Sequence, residues 1–115
     1  MSVEKHFCNK TNTCKVVFHL PTKATKGTNV KVVGDFNDWD AENGIPMEIK
    51  NGEFIAETEL PIDATYQYRY LIDDREWEND WDADAYFPTE YGVDNSVVDT
   101  HVEETVQGLM HFCYH

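Results

Sequence analysis

Residues 47–60 read MEIKNGEFIAETEL, two alternating runs on either side of Asn51-Gly52. Asn-Gly between alternating segments favours a type I′ hairpin, because both central residues tolerate a positive φ. In the second run Phe54, Ala56, Thr58 and Leu60 fall on one side, with Glu53, Glu57 and Glu59 opposite. That is the period of a strand with one dry and one wet face.

The same period continues outward from the hairpin. Upstream, Lys15–Leu20 (KVVFHL) sets Val16, Phe18 and Leu20 against Lys15, Val17 and His19, and Pro21 stops it. After the loop PTKATKGTN, residues 29–33 predict a second strand that delivers the chain into residues 34–40, GDFNDWD. Downstream, Pro61 and Asp63 turn the chain into residues 65–73, TYQYRYLID. There Tyr66, Tyr68, Tyr70 and Ile72 share one face and Gln67, Arg69 and Leu71 the other. Asp73-Asp74 closes this strand, a short segment around Trp77 pairs back, and residues 95–102 form the last strand. Between them residues 80–94 read as a long irregular stretch, of a length that in a compact domain usually faces a ligand.

Strands at short spacing with turn residues between them predict an all-β sandwich of about seven strands. The expected organisation is an N-terminal extension over 1–13, the sandwich over 14–102 and a C-terminal tail over 103–115. In the tail Val102, Val106, Leu109, Met110 and Cys113 stand at helical spacing interrupted by Gly108, which leaves a short docked helix and an irregular end both open.

The chain has 115 residues, 41% of them hydrophobic and 13% aromatic, enough for one domain with a real core. Nine basic residues against 22 acidic ones give a net charge of −13. Such a surface repels phosphate backbones and anionic headgroups, which argues against nucleic acid and membrane as partners. No apolar run approaches the roughly 20 residues of a membrane span, and MSVEKHFCNK has no signal-peptide core. A soluble cytoplasmic protein with free thiols at Cys8, Cys14 and Cys113 is the expectation. These cysteines, with His6, His111 and His115, would make a soft-metal site if the ends met, but the CxxC spacing of structural zinc is missing.

Catalysis finds little footing. A carboxylate pair can be assembled from Asp35, Asp38, Asp40, Asp80, Asp82 or Asp84, but all sit in polar loops, where solvated turn and cap carboxylates are the ordinary outcome. GxSxG, GxGxxG and GxxxxGK[ST] are all missing, so neither an enzyme nor a cofactor is expected. Residues 80–84, DWDAD, open like a calcium loop, but Ala85 and Tyr91 stand where glycine and a bidentate Glu are needed. The tryptophans Trp39, Trp77 and Trp81 say more, since they fall in loops or at strand ends among Asn37, Asp38, Arg69, Asn79 and Asp80. A sugar ring needs a flat aromatic platform for its CH face and amides, carboxylates or a cation for its hydroxyls. Closure of the core by these same tryptophans is the competing structural reading.

Three segments carry a resemblance: VKVVGDFNDWD (30–40), YQYRYLIDDREWENDW (66–81) and YGVDNSVV (91–98). In this order they resemble the glycogen-binding modules of the isoamylase N-terminal (early set) type. That family includes the glycogen-binding domain of the AMP-activated protein kinase beta subunit. The similarity runs from about Cys14 to Val98. It implies an immunoglobulin-like early-set sandwich that binds α-1,4-linked glucan, either polysaccharide or maltooligosaccharide, beside a glycogen-metabolising enzyme or kinase subunit. By the same resemblance Trp39 and Trp77 stack on glucose, Arg69 and Asn95 hold hydroxyls, and Tyr91 stands where an aliphatic residue enters the oligosaccharide ring. The turn over 73–76 is one residue longer than in the kinase modules, which would displace Trp77 from Trp39. The alternative function is a regulatory or protein-interaction subunit that keeps the fold without sugar binding and docks through a sheet edge or through Val106, Leu109 and Met110.

Overall fold

The computed structural model describes residues 3–8, 10–90 and 92–102. Its strands are β1 (Val3–Cys8), β2 (Thr13–Pro21), β3 (Val30–Gly34), β4 (Ile45–Pro46), β5 (Glu48–Lys50), β6 (Glu53–Pro61), β7 (Thr65–Ile72), β8 (Glu76–Glu78), β9 (Ala85–Pro88) and β10 (Asp94–Asp99). One sheet runs β1-β2-β6-β5 and the other β4-β3-β7-β10-β9, with β8 also paired to β7. Every pairing among them is antiparallel. This is the all-β sandwich that the alternation predicts, with the immunoglobulin-like form that the resemblance implies.

Asn51 and Gly52 carry φ of 51° and 79°, as a type I′ turn requires, and Lys50 pairs with Glu53 across it. The alternation then decides what is buried. Cys14, Val16, Phe18, Leu20, Phe54, Ala56 and Leu60 from one sheet meet Val30, Val32, Tyr68, Tyr70, Ile72 and Val98 from the other. Phe18 stands edge-on to Tyr68 at 4.9 Å, the T-shaped geometry that the ring quadrupoles favour.

Three strands have no counterpart in the sequence reading. β1 places Val3 in the core and Phe7 against it, but Lys5 between them breaks the apolar alternation. Lys5 instead ion-pairs with Asp84 at 2.8 Å and donates to the Asp99 carbonyl, tying the first sheet to the second. β4 is two residues long, too short to show a period. β9 is exposed throughout, so residues 85–88 of the stretch expected to be irregular over 80–94 are an edge strand with no burial pattern to betray it.

The tail over 103–115, for which a short docked helix and an irregular end are both open, lies outside the described residues, with His111, Cys113 and His115. Cys14 is a buried free thiol whose pKa burial pushes up to about 11. Cys8 is disulfide-bonded, so the expectation of free thiols holds for Cys14 and fails for Cys8. No described helix is long and apolar enough to cross a membrane.

Candidate functional site

The turn after β3 divides its two aromatic residues. Residues 35–37 form a single 3-10 turn, followed by Asp38 and Trp39 in the left-handed region at φ 55° and 56°. Asn37 locks the entry, accepting from the Gly34 N–H at 3.0 Å and donating to the Val32 carbonyl at 3.1 Å. The Trp39 N–H donates to the Gly34 carbonyl at 2.9 Å. Asp35 fastens the turn to its neighbour. One of its oxygens accepts from the Trp39 indole N–H at 2.8 Å and the other from the Gln67 backbone N–H at 2.7 Å. Phe36 is thereby sent inward, 5.8 Å from Phe18 and 6.4 Å from Tyr66, and it closes the end of the core. Trp39 is left outside that core, half-buried.

The second sheet supplies the rest from its outer face. Tyr68 and Tyr70 point inward, so Gln67 and Arg69 of β7 point out. Arg69 pairs with Val33, and Leu71 pairs with Trp77 of β8, which brings the Trp77 side chain to the same face. Ser96 of β10 pairs with Tyr68 inside, so Asn95 faces out, and its amide donates to Gln67 Oε1 at 2.9 Å.

These side chains converge. Trp39, Arg69, Trp77, Thr89 and Asn95 line one shallow pocket of about 240 Å³. The Trp39 and Trp77 rings stand 6.4 Å apart at an interplanar angle of 53°. The longer turn has therefore not taken Trp77 out of reach: Asp73 and Asp74 take positive φ, and the hairpin closes with Ile72 opposite Glu76. Trp77 is 46% exposed and Trp81 54%, which removes core closure as their role. Trp81 does not line the pocket. Arg69 is half-buried, and its Nε has no hydrogen-bond partner among the described residues. Tyr91, the fifth residue that the resemblance implicates, lies outside them.

Thr89 and Gln67 are the participants that sequence reasoning missed. Thr89 follows β9 at alternate spacing from Phe87 and would have been found had that strand been recognised. Gln67 was visible as an outward neighbour of Arg69 but showed no sign of its bond to Asn95.

The acidic candidates are largely taken up by the fold. Asp40 caps the next 3-10 turn through the Glu42 N–H at 3.0 Å, and Asp84 holds Lys5 and the Asp99 N–H. Asp80 corrects the expectation of a solvated loop carboxylate. It is 1% exposed and accepts from the Tyr68 and Tyr70 hydroxyls at 2.6 and 3.2 Å. No group of three or more His, Cys, Asp or Glu side chains suited to a metal ion occurs among the described residues.

Over residues 12–106 the chain matches a family model described as the glycogen recognition site of AMP-activated protein kinase. Among curated proteins no match to the chain was found.

Proposed function

The chain belongs to the family of the glycogen recognition site of AMP-activated protein kinase, and on that premise we propose that it is a non-catalytic module that binds α-1,4-linked glucan. Glucose units stack on Trp39 and Trp77, while Arg69 and Asn95 donate to their hydroxyls. The observation that carries this reading is the convergence of four side chains, remote in sequence, on one open pocket with two tryptophan rings 6.4 Å apart.

The electrostatics agree. The Arg69 guanidinium lines the pocket, and its N–H donors suit the neutral hydroxyls of a sugar as acceptors. A glucan carries no charge, so the net −13 does not oppose its approach. The pocket is shallow and each contact weak, so residence on a glycogen particle comes from the many equivalent chains that the polymer presents. In this reading the module holds a glycogen-metabolising enzyme or kinase subunit at a cytoplasmic particle.

The test is affinity electrophoresis through glycogen together with titration of maltoheptaose. Trp39→Ala and Trp77→Ala should each weaken binding about tenfold or more, with melting temperatures near that of the wild type. A wild-type protein that no α-glucan retards would overturn the proposal. Equal binding by the variants would remove the tryptophans from it.

A further inference from the structure

The pocket of about 240 Å³ is smaller than the roughly 300–1,000 Å³ that enclose most of a drug-sized ligand. A glucan seated on Trp39 and Trp77 therefore overhangs it, and strand order decides what lies under the overhang. Beside β7 come β10 and then the edge strand β9. Asn95 pairs with Phe87 of β9, so the Phe87 side chain shares the outer face with the pocket residues. Thr89, one alternation further along, already lines the pocket. With neighbouring strands about 4.8 Å apart, Phe87 stands about 10 Å across the sheet from Arg69. Asn95 of β10 lies between them, its amide bonded to that of Gln67 beside Arg69 on β7.

Phe87 has no part in the core and is 55% exposed. An open phenyl ring beside an amide, on the same sheet face as two tryptophans and a guanidinium, repeats the pattern of the pocket itself. Resting on the α-glucan reading of that pocket, we propose that Phe87 forms a further stacking subsite. The ligand is then a run of several α-linked glucose units crossing β7, β10 and β9, rather than a chain end held at the pocket alone.

Titration of the whole chain with maltotriose and with maltoheptaose tests this in wild type, Phe87→Ala and Phe87→Tyr. Phe87→Ala should leave maltotriose affinity unchanged and weaken maltoheptaose about two- to tenfold, the range of one aromatic contact, while Phe87→Tyr retains the longer sugar. Thermal melts confirm that the variants fold. If wild type binds maltotriose and Phe87→Ala keeps the full gain from three to seven units, the subsite is overturned and the pocket stands. An equal loss for both sugars also overturns it, because Phe87 would then act on the pocket and not beyond it. If wild type binds neither sugar, the α-glucan reading itself fails and takes the subsite with it.

Discussion

Gly34 sits in extended backbone at φ −172° and ψ −163°, a conformation open to any residue, so glycine is needed there for space and not for torsional freedom. A Cβ at this position would lie 2.3 Å from the Gln67 carbonyl oxygen and 2.8 Å from Tyr68 Cβ. Gly34→Ala must push β3 off β7 and should cost about 1–3 kcal/mol, read as a fall of several degrees in melting temperature. A melting temperature within a degree of wild type would show that the strands separate without strain. Trp39 is the opposite case, a bulky residue held at φ 56°, where an L side chain is disfavoured by about 1 kcal/mol or more. Strain of that kind persists where surrounding bonds fix the residue, here the bonds of the Trp39 backbone to Gly34 and of its indole to Asp35. The polarity of GDFNDWD makes a turn legible from sequence alone. Which of Phe36 and Trp39 enters the core is not legible, because one 3-10 turn followed by two left-handed residues carries neither a period of 2 nor one of 3.6.

At the scale of elements, the segment from β8 to β9 carries Trp77 at one end and Phe87 at the other, and Asp80 anchors its middle. Burial, reinforced by the neighbouring Asp80 carboxylate, holds the Tyr68 and Tyr70 hydroxyls protonated far above their usual range, so both remain donors to it. The Asp80 N–H donates to Ser96 Oγ at 2.9 Å, and Ser96 in turn bonds Asn79, joining the loop to β10. Asp80→Ala would take the acceptor from the buried Tyr68 hydroxyl and leave the Tyr70 hydroxyl only the His19 carbonyl at 3.4 Å, at a cost of about 1–3 kcal/mol in urea or thermal unfolding. Asp80→Asn keeps an acceptor oxygen and should cost distinctly less. Equal losses from the two variants would mean that the charge itself, and not the acceptor, holds the network. Among so many acids Asp80 reads as solvated, yet a signal was present: tyrosines at two successive core positions of one strand need an acceptor for their hydroxyls. β7 itself was legible because its face alternates over eight residues. β9 was not, because an exposed edge strand has no buried face to alternate against.

Over the whole molecule the 22 acidic residues set a negative field, and the ligand class decides whether that field matters. A basic protein partner would be drawn by it and would lose affinity steeply with salt. A neutral glucan held by stacking and hydrogen bonds has no counterions to release and no charge to screen. Raising ionic strength from about 0.01 to about 1 M shortens the Debye length from about 30 to about 3 Å. Over that range maltoheptaose affinity should change less than about twofold, measured by titration at constant pH with a non-binding monovalent salt. Melting temperature should rise over the same series, because screening relieves repulsion among carboxylates that the folded state crowds together. The two readouts separate effects on the fold from effects on the site. Constant affinity with rising stability assigns the charge to the fold and the surface, and the site to neutral recognition. An affinity that falls severalfold in parallel with screening would instead mean that a charged group of the site contributes to holding the sugar, and recognition by neutral contacts alone would have to be given up.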